Sequence, residues 1–252
     1  MDGNPAARNA AHSYYIRTLR GDTMKPKSFF LNPDRARESF AQTALHGDLL
    51  PIVATISDLS RSRDGLVKLH ATKDPNKSAE GNALHYRKQF EAQTAKAREK
   101  LINAGAALDA LEQRIMGDAF AKSGLDKPIG EAQAAEIRAV LRSMDDKGRD
   151  KLLKEAALNG DALMLKAVRD AASPVLYGGT ITPIETLINQ LLHKTNPDLQ
   201  AKLDALADAD TRVRGAGDAY MKDVSELRDL QAESLAEKQQ AELQEAETML
   251  GF

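Results

Sequence analysis

Five histidines are the first place to look for chemistry: His12, His46, His70, His85 and His193. None stands four residues from another, and no His-Glu-x-x-His helix occurs. The spacing that sets two imidazoles on one helical face for zinc is therefore missing. Cysteine is absent, which removes thiolate ligands, thiol nucleophiles and disulfides together. Gly178-Gly179-Thr180 lacks the upstream glycine and the lysine of a phosphate loop. Gly215-Ala216-Gly217 lacks the preceding strand that dinucleotide binding needs. No Gly-x-Ser-x-Gly elbow is present. The carboxylates at Asp145-Asp146 and at Asp208 and Asp210 sit among solvent-type residues and read as solvated faces. These residues nominate no catalytic group, no metal ligand and no cofactor, and a non-enzymatic protein is expected.

Charge is the next resource. The whole chain carries a net −2, unevenly spread. Residues 1–40 hold seven Lys/Arg against four Asp/Glu, residues 61–100 hold ten against five, and residues 198–252 hold six against thirteen. The acidic end is suited to docking a basic protein surface. Arg61, Arg63, Lys68, Lys73 and Lys77 form a basic stretch that Arg87, Lys88, Lys96, Arg98 and Lys100 continue. Nucleic acid is thus the second partner class to weigh, since phosphate binding needs several cations on one face. Interleaved Asp64, Asp74, Glu80, Glu91 and Glu99 dilute that patch, and a protein partner is favoured. No apolar run approaches the roughly 18 residues of a membrane span, and no signal-peptide core is expected at the N-terminus.

The elements that position these residues are helices. Ala, Leu, Lys, Arg, Glu and Gln dominate, aromatics are 4% and Trp is absent, a mix that favours helix over sheet. The expected fold is all-α: an elongated helical bundle with two long helices, about 79–116 and 197–249, and shorter helical hairpins. Residues 1–32 read as an extended arm, 33–195 as a helical domain, and 196–252 as a long C-terminal helix or kinked pair. That last segment is expected to pack on 79–116 and to project beyond it.

Leu199, Leu206, Val213, Tyr220 and Leu227 recur every seventh position along the last segment. Leu203, Ala209, Ala216, Val224 and Leu230 follow three or four residues behind, the seam of a helix lying along a partner helix. Unbroken, it would run roughly 75 Å. Gly215 and Gly217 each cost about 1 kcal/mol against Ala in a helix interior, which predicts a kink near Asp218. In the first long helix, Leu84, Phe90, Ala97, Leu101, Ala104, Leu108, Leu111 and Ile115 mark the buried side. Asn32-Pro33 opens a helix to Leu45 or His46, Gly47-Asp48 forms a joint, and a second helix runs to about Leu59. Arg61–Ser78 reads as a loop. Gly117-Asp118 offers a joint, and 123–130 a loop. Helices follow at 131–144, 146–159, 161–172 and from Thr182-Pro183 to His193.

Tyr14, Tyr15, Phe29 and Phe30 supply four of the eleven aromatics within the arm. Buried aromatics carry much of the energy of protein interfaces, so these four, with Leu206, Val213, Tyr220 and Leu227 of the seam, are the candidate interaction residues. Ala44-Leu45-His46-Gly47-Asp48 and Ala157-Leu158-Asn159-Gly160-Asp161 share a helix–Gly-Asp–helix pattern. They lie 113 residues apart, with no period near 33 that would make an ankyrin-like array.

The run Glu155-Ala156-Ala157-Leu158-Asn159-Gly160-Asp161 through Ala172-Ser173-Pro174-Val175-Leu176, set among cysteine-free Ala/Glu/Gln/Lys-rich helices, resembles bacteriophage virion and assembly proteins. That resemblance implies a non-enzymatic structural or assembly role, virion-associated, internal or connector-associated. Its implied partners are other copies of the chain or phage structural proteins, with a homo-oligomer expected, and its implied location is the virion or host cytoplasm. Two alternatives are a helical adaptor for a host protein or nucleic acid, and a capsid scaffolding protein. The acidic end ahead of Met249-Leu250-Gly251-Phe252 departs from the basic hairpin with which scaffolding proteins end.

Overall fold

A computed structural model describes residues 27–250 of this protein, with side chains from Phe29 onward. Tyr14 and Tyr15 lie outside the described residues. Among those described, the fold is all α. A single helical turn, Lys27–Phe30, precedes nine helices. They are α1 (Pro33–Ala41), α2 (His46–Ala71), α3 (Ala79–Ser123), α4 (Glu131–Ser143), α5 (Asp146–Asn159), α6 (Ala162–Arg169), α7 (Ile184–Thr195), α8 (Leu199–Ser225) and α9 (Leu230–Met249). The chain divides into two compact units, residues 1–108 with 207–252, and residues 109–206.

In the first unit Asn32 caps α1, its Oδ1 accepting from the Asp34 and Arg35 amides at 3.0 and 3.2 Å, with Pro33 in the first turn. A side-chain cap of this kind satisfies amides that the helix itself leaves unpaired. Phe40, Leu49, Ile52, Ile56, Leu59, Tyr220 and Val224 form the core, each at 2% exposure or less. Polar ties then set the register of α8. The buried Tyr86 hydroxyl donates to the Val224 carbonyl at 3.1 Å, Tyr220 Oη and Ser62 Oγ lie 3.0 Å apart, and Arg63 Nε donates to Asp223 at 2.8 Å.

Helix α8 runs unbroken through Gly215 and Gly217, and the interruption comes instead at Glu226–Asp229. The reason is close packing. A Cβ on Gly215 would lie 2.5 Å from the Phe30 ring, and one on Gly217 would lie 2.9 Å from a Leu101 methyl. These glycines let neighbours reach the helix backbone, which offsets their poor helix propensity. Helix α2 likewise continues over residues 61–71, where a loop was expected. Leu59 and Leu66 stay buried on one face, and the charged residues occupy the others. Helix α3 passes Gly117-Asp118 and ends at Ser123 because Ile115 and Ala119 continue its buried stripe.

The two Gly-Asp sequences are different structures. Gly160 sits in the left-handed region (φ +86°) after α5, and its amide and that of Asp161 both return to the Ala156 carbonyl. Asp161 then caps α6 through the Met164 amide at 3.1 Å. Gly47 lies inside α2, and the bend there falls at residues 42–45.

The second unit has its core in Leu125, Leu141, Leu153, Leu165, Leu187 and Leu191, all fully buried. Its tightest polar feature is the adjacent pair Arg149 and Asp150. The buried Arg149 guanidinium donates to the carbonyls of Leu141 (2.9 Å), Met144 (2.8 Å), Gly178 (2.6 Å) and Gly179 (3.2 Å). Gly178 is obligatory: its φ is +88°, and a Cβ would meet the guanidinium at 2.6 Å. Asp150 accepts from the Thr182 amide at 2.8 Å and pairs with Lys154 at 2.7 Å. The hydrogen bond from Lys154, then those from Thr182, hold its carboxyl down at about 2 against an ordinary 3.8.

Two expected outcomes follow from this packing. Gly105 faces open space, so Gly105→Ala should raise stability by up to about 1 kcal/mol. Gly215→Ala should instead lower it by about 1–3 kcal/mol through overpacking on Phe30; urea midpoints compare the two directly. The depressed Asp150 value contributes stability that is complete above 3.8 and lost as pH falls towards 2. Asp150→Asn should therefore be less stable at neutral pH and show a flatter loss between pH 4 and 2, read from thermal midpoints across that range.

Candidate interaction surface

The sequence-nominated residues separate into core and surface once placed. Leu206, Val213 and Tyr220 are buried at 4%, 5% and 0% exposure within the chain. Leu227 is half-buried in the turn between α8 and α9. The seam they mark is packed internally. Phe29 and Phe30 also serve their own unit. Phe30 seats against Gly215, while the Arg212 guanidinium lies 5.1 Å from the Phe29 ring centre and 5.6 Å from that of Phe40. Arg212 is itself buried and donates to Asp208 at 2.8 Å, and Asp208 also accepts from Ser39 at 2.9 Å. A cation stacked between two rings and paired with a carboxylate fixes the aromatic turn to α8.

Among the described residues, the C-terminal part of helix α9 is an open surface. Asp229 caps the helix through the Ala232 amide at 3.0 Å. The buried Glu233 accepts from both sides of the Arg228 fork, Nε at 3.0 Å, and the guanidinium lies 5.0 Å over the Phe90 ring. Arg87 pairs with Glu237 and, at 2.9 Å, with Glu91. Ala236 is 4% exposed. From Glu237 to Leu250, in contrast, every residue is exposed.

That exposed stretch keeps a seam. Ala232, Ala236, Gln239, Leu243, Ala246 and Leu250 alternate in steps of four and three, the spacing of a helix that lies along another. Its first positions enter the core of the unit, whereas Leu243 (65%), Met249 (77%) and Leu250 (72%) stand in solvent. Glu242 and Glu247 border the stripe on opposite edges. Neither they nor Glu245 have an ion-pair partner among the described residues. Beyond Leu230 the seam positions are mostly Ala and Gln, so the four-three spacing is the signal that carries it in the sequence.

A second feature lies between α2 and α3. Asp58 pairs with Lys100, Ser62 and Gln93 meet at 3.3 Å, and His70 packs edge-on against Tyr86. Alongside these contacts runs an open groove of about 490 Å³, with Leu59, Leu66 and Ala97 at its base and Arg61, Lys96 and Lys100 on its walls. Among the described residues the histidines do not converge, and His12 lies outside them. His85 and His193 are exposed, and His46 at the start of α2 keeps Nδ1 buried without a partner. Among the described residues no three His, Asp or Glu side chains gather as metal ligands, and no helix is long and apolar enough to cross a membrane.

Placement separates structural from surface leucines in a measurable way. Leu206→Asp buries an unpaired charge and should cost several kcal/mol. Leu243→Asp should leave the thermal midpoint within the small range of exposed substitutions, about 0.5 kcal/mol. Denaturation followed by circular dichroism distinguishes them. No family model, curated protein or solved structure matches this chain.

Proposed function

We propose that this chain is a non-enzymatic structural or assembly protein, of the kind found in bacteriophage particles, that acts by packing helices against a partner. The observation that carries this reading is α9. Its first turns are held to the protein by Arg228, which pairs with the buried Glu233 and lies over the Phe90 ring, and by the Arg87–Glu237 pair, and its remaining turns present an apolar stripe with acidic borders and no cover. Leu243 and Leu250, seven residues apart on one exposed helical face with Ala246 between them, mark a surface suited to another protein. The texture of the Ala/Glu/Gln-rich helices, similar in style to phage virion proteins, supplies the biological setting. A soluble adaptor for a basic host protein is the second reading, favoured by the unpaired acids Glu242, Glu245 and Glu247.

Absolute mass by light scattering after gel filtration, at low and high salt, tests the proposal. Self-association, or capture of a defined phage structural protein that is lost when residues 238–252 are removed, is the expected result. Removing residues 1–26 in a parallel variant reports whether Tyr14 and Tyr15 contribute. A monomer whose activities and partners are all indifferent to residues 238–252 would defeat the reading.

A further inference from the structure

We propose that the exposed end of α9, residues 238–250, docks into the α2–α3 groove of a second copy of this chain. The inference rests on the association-based function above and names its partner. Two complementary surfaces sit on every copy, and each is incomplete in the same respect. The tail carries Leu243, Ala246 and Leu250 along its centre, with Glu242 on one edge and Glu247 on the other. The groove offers an apolar base with Arg61 on the α2 wall and Lys96 and Lys100 on the α3 wall. Lys96 has no ion-pair partner among the described residues, and the groove's one acid, Asp58, is already engaged by Lys100 and lies 3.6 Å from Arg61. Acid on both edges of the stripe thus meets cation on both walls of the groove.

Length agrees with charge. The tail spans roughly 20 Å, and the α2 wall from Asp58 to Leu69 roughly 17 Å, at about 1.5 Å per residue. Pairing of two tails with each other is disfavoured. In a parallel pair the residues bordering the seam face across it, which sets Glu242 against Glu247 of the other copy. A tail entering a groove is a head-to-tail contact, so repetition builds a ring or an open filament. Its area is small, so association should depend on concentration and weaken with salt as screening shortens to about 10 Å near 0.1 M.

The test uses full-length chains in sedimentation velocity. A tail variant, Glu242→Lys with Glu247→Lys, and a groove variant, Arg61→Glu with Lys96→Glu, change only exposed or groove-wall side chains, and circular dichroism checks that both remain folded. Each alone should self-associate about tenfold more weakly than the parent. Mixing the two should restore association, because the native tail of the groove variant meets the native groove of the tail variant and the inverted tail matches the inverted groove. A parent chain that stays monomeric at its solubility limit, reversals without effect, or a mixture that stays dissociated would each overturn the proposal. Association lost only on removing residues 1–26 would overturn it in favour of the N-terminal segment. A monomeric parent that still binds another phage structural protein through residues 238–252 would overturn this inference and leave the proposed function standing.

Discussion

The absence of two side chains on α8 governs the first unit. At Gly215 the Phe30 ring comes within 2.5 Å of where a Cβ would be, and at Gly217 a Leu101 methyl comes within 2.9 Å. Interiors pack at near-crystal density, so neither neighbour has room to retreat cheaply. With those contacts made, Arg212 lies beside Phe29 and Phe40, Asp208 bridges it to Ser39, and Tyr220 reaches Ser62. The helix keeps its line through the glycines because packing outweighs a propensity deficit of about 1 kcal/mol per residue.

The same unit holds α9 at its beginning and leaves it free at its end. A buried carboxylate is costly unless paired and hydrogen-bonded, and Glu233 is both, gripped by the fork of Arg228 over the Phe90 ring. One turn later Ala236 is the last buried side chain. The transition from packed to solvated therefore falls within a single helix, and the seam crosses it without a change of spacing. An exposed helix of this kind gains its remaining stability from whatever covers it, since isolated helices of this length are marginal in water.

Fold class, the two long helices and the Asn32 cap were legible, because composition and cap chemistry act locally; the helix–Gly-Asp–helix pattern marks real caps at Gly160 and Asp161 but also a joint at Gly47-Asp48 where α2 is continuous. The buried stripe of α3 was legible too, down to Phe90, Ala97, Leu108 and Ile115. What escaped was set by partners distant in sequence. Gly215 looked like a break because Phe30 lies 185 positions upstream. Arg61–Ala71 looked like a loop because its charges outnumber Leu66 and Leu69, although two leucines on one face hold the helix. Phe29 and Phe30 were nominated for a partner and found Arg212 and Gly215 in their own chain. The tail was legible as a segment that projects, and its seam emerged once Ala236 marked which positions face inward.

Arg149 and Asp150 grip the segment from Gly178 to Thr182 from neighbouring positions, one through carbonyls and the other through an amide. In a chain without cysteine, this does the work of a cross-link. It ties the end of α4, the start of α5 and a loop some thirty residues onward into one knot. Unlike a disulfide, it is indifferent to thiols and oxidants, and its cation stays charged at any pH a protein meets. It can also open and close reversibly, so the second unit is fastened by a clasp that survives a change of redox compartment.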